Sequence, residues 1–416
     1  MSPRAKLVIA LLLVLSIIYF AIGSLCALHD SRDFASVYVS SRAWLKGFDP
    51  YDQSAFPTLW SEARGSPAQL PDPSQVPPLY PLTTLLLISP FALFSWQVAK
   101  GTWLVVNLVA VAVTIGALFA IGGMRDRTGQ VILVTGTLAL WALQSAIWVG
   151  SPTIITLALG MGSIFLGRIR RDCWAGITLG LCLCLKPHLA LPFLAYYLFV
   201  RRRAVLYACL AAVCVIMLAA LIRTSDFSWL WGWLTNIRAA LNGGVNDPTG
   251  ANPLRWQLLN LSYPLHTFIS SRLAVTILVF VFVAGQLAIF AKLQHFDGTF
   301  PHDLAGLCCL TTISFFPVYH RLYDAALLVL LIPLVVRLLS HGNNTFGRFL
   351  MYLLFMFVPS PALLNWIEQY PYFESLAGSW WWTHLIKPWQ AWSLLVISIV
   401  LLCLMYSERD RPVAGS

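Results

Sequence analysis

Charge is what this sequence has least of: only 11% of its 416 residues are Asp, Glu, Lys or Arg, while 58% are hydrophobic. A soluble domain of this length needs far more polar surface than that composition supplies, so a soluble globular fold is excluded. There is no Gly-rich phosphate loop ending in Lys-Ser or Lys-Thr, no His-Glu-x-x-His helix, and no Cys or His pair at metal-ligand spacing. Nothing in the sequence therefore demands a nucleotide, a cofactor or a metal. Long internal repeats, coiled-coil heptads and low-complexity tracts are missing too, which removes solenoid and fibrous folds. The nine cysteines, among them Cys182, Cys184, Cys308 and Cys309, sit in or beside apolar runs and read as packed thiols.

What is there is apolar sequence at one recurring length. Runs of about 17–25 residues match a hydrocarbon core roughly 30 Å thick, and the fold class expected is all-α: a polytopic transmembrane helical bundle forming a single domain over 1–416. The spacing predicts about twelve membrane helices, at 7–28, 101–121, 130–148, 151–167, two short ones over 174–200, then 204–222, 273–291, 304–318, 324–338, 348–365 and 391–406. The first run follows Arg4 and Lys6, exceeds a signal-peptide core in length and lacks a small-residue cleavage site, so it reads as a retained first helix.

The net charge of +10 carries no nucleic-acid signal once sorted by loop. If Tyr80–Leu93 is re-entrant or interfacial, Arg168, Arg170, Arg171 and Arg201–Arg203 all fall inside, as the positive-inside rule requires. Both termini are then cytoplasmic. The long polar loops, 29–100, 223–272 and 367–390, face out, and function is expected there. In bacteria this is a multi-pass inner-membrane protein with its site facing the periplasm. The Trp380–Trp382 run and Trp389 read first as an interfacial aromatic belt.

Candidate chemistry begins just after the first helix, with Asp30-Ser31-Arg32-Asp33-Phe34 and Tyr38, then Ala43-Trp44-Leu45-Lys46-Gly47-Phe48-Asp49-Pro50-Tyr51-Asp52. The pattern over 34–46 predicts a short helix along the membrane surface with Asp33 as its N-cap, closed by the Gly-Phe-Asp-Pro-Tyr turn, where Asp49 and Asp52 shape the fold. Further along come Val76-Pro77-Pro78-Leu79-Tyr80-Pro81, Leu179–Pro187 before Arg201–Arg203, and Phe316-Pro317-Val318-Tyr319-His320-Arg321-Leu322-Tyr323-Asp324. Lys186 stands within an apolar hairpin, where a charge is costly and functional by default; snorkelling or a carboxylate partner is the bland alternative.

Together these segments resemble glycosyltransferase family 87, membrane enzymes of the GT-C fold that use polyprenyl-phosphate sugars, typically mannose. Where that family shows a Gly-Gln pair, this chain has Gly150-Ser151. The resemblance implies transfer of a sugar from a polyprenyl-phosphate donor to a hydroxyl of a glycolipid or glycan, with inversion, at the outer face of the lipid bilayer, without nucleic acid. It implies Asp33 as general base, Asp30 being the other candidate, because a hydroxyl is a poor nucleophile until a carboxylate takes its proton. Lys186, His320, Arg321 and Arg255 are the expected contacts to the departing phosphate. Tyr38, Trp256 and Asp324 are expected around the substrate, with Asp324 also orienting His320 or Arg321. Loop two, from Asn242 to Gln257, reads as an acceptor lid or as ordinary turns. A transporter or flippase for a lipid-linked or small anionic substrate is the second reading, and a non-catalytic scaffold the third. Inverted repeats with midplane charge would favour transport; no repeat is present, and Lys186 is the one charge so placed.

The charge asymmetry fixes an expected orientation. A cysteine probe at residue 64 is labelled by a membrane-impermeant reagent from outside, and one at 202 is not. The reverse pattern contradicts the topology.

Overall fold

The computed structural model describes residues 3–70, 72, 77–224, 226–294, 296, 303–340 and 344–409. Val76, the first residue of the Pro-Pro-Leu-Tyr-Pro segment, lies outside them. The described chain is helical throughout, with one isolated antiparallel bridge between Leu258 and Arg321. In chain order the α-helices are α1 (Pro3–Ala27), α2 (Arg32–Leu45), α3 (Phe56–Glu62), α4 (Leu82–Ala92), α5 (Trp96–Gly122), α6 (Arg127–Ala139), α7 (Trp141–Val149), α8 (Thr153–Arg168), α9 (Asp172–Leu185), α10 (Pro187–Phe199) and α11 (Arg203–Leu221). They continue with α12 (Ser228–Leu241), α13 (Ser262–Leu265), α14 (Arg272–Leu293), α15 (Asp303–Ser314), α16 (Leu331–Ser340), α17 (Asn344–Phe355), α18 (Ala362–Glu368), α19 (Glu374–Ala377) and α20 (Trp389–Arg409). A 3₁₀ segment, Leu322–Leu330, runs directly into α16.

Six stretches among the described residues are long and apolar enough to cross a membrane: Lys6–Leu45, which contains α1, then α5, α11, α14, Leu322–Ser340 and Trp389–Glu408. A seventh is the pair α6–α7, bent by 52°. The expected count of about twelve is thus met by six or seven. The difference comes from breaks inside apolar sequence. The single helices expected at 130–148 and 348–365 are each divided, at Leu140 and at 356–361. Helices such as α8 and α9, with 16 and 14 residues, reach only about 21–24 Å at 1.5 Å per residue. Lipid-facing surface is evident on α1, α11 and α14, where Leu7, Val215, Leu218, Leu273 and Val281 are exposed.

Two devices set the frame of the site. Gly176 and Gly180, four apart on α9, let α11 approach closely: a Cβ on Gly176 would lie 2.4 Å from the Val205 carbonyl oxygen, and one on Gly180 2.7 Å from Ala212 Cβ. Small residues at this spacing are how membrane helices bring backbones together. The second device is the break between α9 and α10. Lys186 is extended (φ −144°, ψ 89°) and Pro187, with no N–H to lose, opens α10. The freed carbonyls do not go unpaired: Thr83 and Thr84 on α4 donate hydroxyls to the Cys184 oxygen at 2.9 Å, and Thr84 also to that of Leu185 at 2.9 Å. This is the arrangement that broken helices at membrane depth require. α4 itself is only 11 residues long, about 16 Å, too short to cross, as the re-entrant reading of Tyr80–Leu93 expects.

α2 differs from expectation. Phe34 to Ser41 are all buried, as are Ala43 and Trp44, so the helix is packed inside rather than laid on a surface. Phe34 stacks on Trp103 with ring centroids 4.6 Å apart and on Trp96 at 5.7 Å; this aromatic contact pulls the helix in. Asp33 is not the N-cap either. That position is Ser31, held in the left-handed region (φ 59°) with its hydroxyl on the Ala27 carbonyl at 2.6 Å. Asp33 is therefore free for another role. The Asp49 and Asp52 carboxylates accept from the backbone of Tyr51 and Ser54, at 2.9 and 3.0 Å, and shape the turn.

Candidate active site

A cavity of about 510 Å³ opens where α1 meets α2, where α9 breaks into α10, and where loop two meets the Tyr319–Asp324 segment. Asp30, Arg32, Asp33, Lys186, His188, Arg321 and Asp324 supply its charge, and Tyr80, Trp141, Trp148, Trp233, Trp256, Tyr319 and Tyr323 much of its wall. A mostly apolar pocket of this size with a few convergent polar groups is the ordinary form of a ligand site.

The polar centre is a buried ion pair. Lys186 Nζ lies 2.8 Å from Asp324 Oδ1 and 2.8 Å from the Thr153 hydroxyl, with the Tyr323 ring 4.7 Å away. Asp324 is over-subscribed: Oδ1 also accepts from Thr153 at 2.9 Å, and Oδ2 from the Arg321 backbone N–H at 3.1 Å. Ser151 stands 3.3 Å from Lys186, so where the family has glutamine a smaller hydroxyl joins the same network. Gly150 before it has φ +69°, and a Cβ there would lie 2.8 Å from that of Phe34; only glycine fits.

Asp33 and Arg321 are placed differently. Asp33 Oδ2 is buried and has no hydrogen-bond partner. The Tyr323 hydroxyl bonds the carboxyl, while Arg321 and Lys186 are the cations acting on it. Asp30, by contrast, is gripped by Arg32 in a bidentate contact of 2.8–3.2 Å. The Arg321 guanidinium touches only neutral oxygens, Gln257 Oε1 at 3.2 Å and the Val245 carbonyl at 3.4 Å. Among the described residues neither Arg321 nor Asp33 is in a direct ion pair, and the two face the same cavity with Arg321 acting on the Asp33 carboxylate through space.

The other expected site residues are divided. Trp256 and Asp324 line the cavity; His320, Arg255 and Tyr38 do not. His320 is wholly buried behind the wall, Nε2 on the Ser314 carbonyl at 3.2 Å. Arg255 lies over the Tyr263 ring at 5.7 Å. Tyr38 is buried in the aromatic core with its hydroxyl on the Phe94 carbonyl at 2.7 Å. Of three further wall residues, His188 escaped the sequence reading, while Asn246 and Gln257 fall in the loop-two segment read as an acceptor lid. His188, next to the singled-out Lys186-Pro187, carries a buried, unpartnered Nε2; Asn246 does the same with Oδ1; Gln257 holds Arg321. His188, His320 and Asp324 bring one ligand atom each to within 4.8 Å of one another, a cluster with metal-ligand chemistry.

Loop two is built rather than slack. Asp247 is buried, ion-paired to Arg272 at 2.7 Å, and accepts from the Gly243 and Thr249 N–H groups at 2.6 and 2.9 Å. Asn252 ties Val245 to Asp247 through their carbonyls, and the Leu259 N–H bonds the His320 carbonyl at 2.9 Å. The loop is thereby clamped to the segment carrying Arg321 and Asp324.

A helical membrane protein with charge collected at unwound backbone beside long loops is the class this architecture defines, and it is consistent with a GT-C fold. Residues 79–317 match glycosyltransferase family 87, more than half of the 416 residues. The chain belongs to that family and is a membrane glycosyltransferase. The match takes in Tyr80, Gly150, Lys186 and loop two but reaches neither Asp33 nor His320. No curated protein matches the chain.

The Asp247 anchor gives a pH dependence. Burial pushes its carboxyl up, but the Thr249 and Gly243 hydrogen bonds and the Arg272 charge outweigh this and hold it below the ordinary value of 3.8. Its folded pKa is depressed, so its stabilisation is complete above about pH 4 and is lost as pH falls through the folded value. Asp247→Asn is expected to cost roughly 1–3 kcal/mol at neutral pH and to flatten the fall in melting temperature below about pH 4. An unchanged acid limb in thermal melts of the solubilised variant contradicts this.

Proposed function

We propose that the chain transfers a sugar, mannose by resemblance, from a polyprenyl-phosphate donor to an acceptor hydroxyl of a glycolipid or glycan, with inversion. The observation that carries this reading is the buried, unpartnered Asp33 oxygen in the same cavity as an Arg321 whose guanidinium touches no carboxylate directly. A carboxylate in that state accepts a proton; a guanidinium in that state takes an anion. The acceptor oxygen forms a bond to C1 of the sugar as its proton passes to Asp33. The C1–O bond to phosphate breaks on the opposite face, and its electron pair leaves with the polyprenyl phosphate, whose growing charge meets Arg321 and, behind it, Lys186. Asp324 positions both cations: it fixes Lys186 through its side chain and Arg321 through its backbone N–H.

Helix direction supports an outward-facing cavity. α8 and α10 start at the cavity, at Thr153 and Pro187, and end at Arg168 and Arg201–Arg203, about 20–24 Å away along each helix. The basic clusters thus stand at the far ends from the cavity. With positive charge inside, the cavity faces the extracytoplasmic side, the periplasm of a bacterial inner membrane. Apolar wall from Trp141, Trp148, Val149 and Ala362 suits a prenyl chain arriving from the bilayer.

Purified protein given radiolabelled polyprenyl-phosphate mannose and a membrane glycolipid extract tests the reading. Asp33→Asn keeps the shape and removes the basicity, and is expected to lower turnover by about 10²–10⁴-fold with an unchanged melting temperature and retained donor binding. Arg321→Gln is expected to weaken donor use. Near-normal turnover in Asp33→Asn, with Asp30→Asn inactive, moves the base to Asp30. Normal turnover in both removes the mechanism.

A further inference from the structure

We propose that His188, His320 and Asp324 form a binding site for a first-row divalent cation such as zinc, its open position facing the cavity. The tautomer of His320 is set by its neighbour. Its Nε2 lies 3.2 Å from the Ser314 carbonyl oxygen. A carbonyl can only accept, so Nε2 carries the proton, and in a neutral ring Nδ1 then presents a lone pair. Nδ1 lies 3.6 Å from Asp324 Oδ2 in a fully buried setting. His188 Nε2 approaches the same oxygen at 3.7 Å. Both ring nitrogens are buried and make no hydrogen bond.

Two acceptors facing one another in a dry interior repel unless something positive lies between them. A proton does not suit these distances, since N–H···O bonds run about 2.7–3.2 Å. A metal does. Ligands bound at about 2.0–2.2 Å in tetrahedral geometry stand roughly 3.4 Å from each other, close to the two nitrogen–oxygen separations; the two ring nitrogens, within 4.8 Å of one another, draw together when the cation binds. The Ser314 contact is also what a metal-binding histidine has behind it: a carbonyl on the far N–H, fixing tautomer and ring direction. Lys186 and Thr153 occupy Asp324 Oδ1, while Oδ2 accepts one bond, from the Arg321 backbone N–H, and keeps a second lone pair for the cation. Two imidazoles and a carboxylate favour zinc, cobalt or nickel over magnesium or calcium.

Three protein ligands leave a fourth position, and His188 and Asp324 both line the cavity. An oxyanion of a phosphate-bearing donor completes the set. The cation beside Lys186 and Arg321 makes the site strongly positive, and a dianionic phosphate offsets that charge. This role in donor binding rests on the transferase mechanism proposed above; the metal site itself does not.

The test uses detergent-solubilised full-length protein, stripped with chelator and dialysed against Co²⁺. The expected result is one tightly held equivalent with the visible bands of four-coordinate cobalt bound by nitrogen and oxygen, a melting temperature raised by Co²⁺ or Zn²⁺, and loss of both effects in His188→Ala. His188 is on the cavity wall rather than in the core, and the wild-type spectrum is diagnostic on its own. Equal cobalt uptake by wild type and His188→Ala, a thiolate charge-transfer band assigning the ion to a cysteine, or no uptake at all each overturns the proposal. None of these readouts uses the sugar donor, so their failure leaves the transferase reading standing, and the converse holds as well.

Discussion

The ion pair between Lys186 and Asp324 is the contact on which the rest of the cavity depends. Both partners are almost wholly buried, and the pair with Thr153 joins α8, the α9–α10 break and the 3₁₀ segment after Arg321. A buried pair is not in itself a strong source of stability, because two desolvated charges consume most of their attraction. Removing one partner is another matter, leaving an uncompensated charge at a cost of about 3–5 kcal/mol. What the pair supplies is arrangement. It absorbs the lysine, turns the Arg321 backbone toward Asp324 and leaves the Arg321 guanidinium without a carboxylate in direct contact.

The position of that pair explains why the backbone is irregular around it. A continuous helix through Lys186 would satisfy its own carbonyls and offer no groups to a ligand. Breaking it frees carbonyls, which α4 covers through Thr83 and Thr84, and sets the N-terminus of α10 beside the cavity. The left-handed Ser31 and Gly150 stand together at the other wall, close enough that the Gly150 Cβ position is 3.4 Å from Ser31 Cβ. Strain at positive φ is tolerated where the surroundings fix it, and here it aims Asp33 inward.

Much of this was legible in the sequence. Apolar run length gave the membrane class and the all-helical fold. Lys186, Arg321, Asp33, Trp256 and Asp324 were visible because charge in apolar surroundings, or a polar motif at a helix end, is costly to keep. Other features were not legible. The break at Leu140 falls in sequence as apolar as any helix, and only tertiary contacts such as the Trp141 N–H on the Phe357 carbonyl at 3.0 Å decide it, whereas the break at 356–361 carried a signal in Pro359-Ser360-Pro361 that the single helix expected over 348–365 passed over. Burial of α2 was missed because its serines and small residues read as polar, while the aromatic rings that cover it come from distant segments. Tyr38 and His320 carry the right motifs but sit behind the wall. His188 was overlooked because one histidine in an apolar helix has no spacing to betray it; its partners lie more than a hundred residues away.

The central claim is that Asp33 and Arg321 stand on opposite sides of the reacting sugar. A structure of the full chain with polyprenyl phosphate bound tests it most directly. The account predicts the phosphate oxygens within about 3 Å of the Arg321 guanidinium, the prenyl chain along Trp141 and Trp148, and open space between the phosphate and the Asp33 carboxylate large enough for one sugar ring. A phosphate seated elsewhere, against Arg255 or among Arg201–Arg203, or one in direct contact with Asp33, contradicts it.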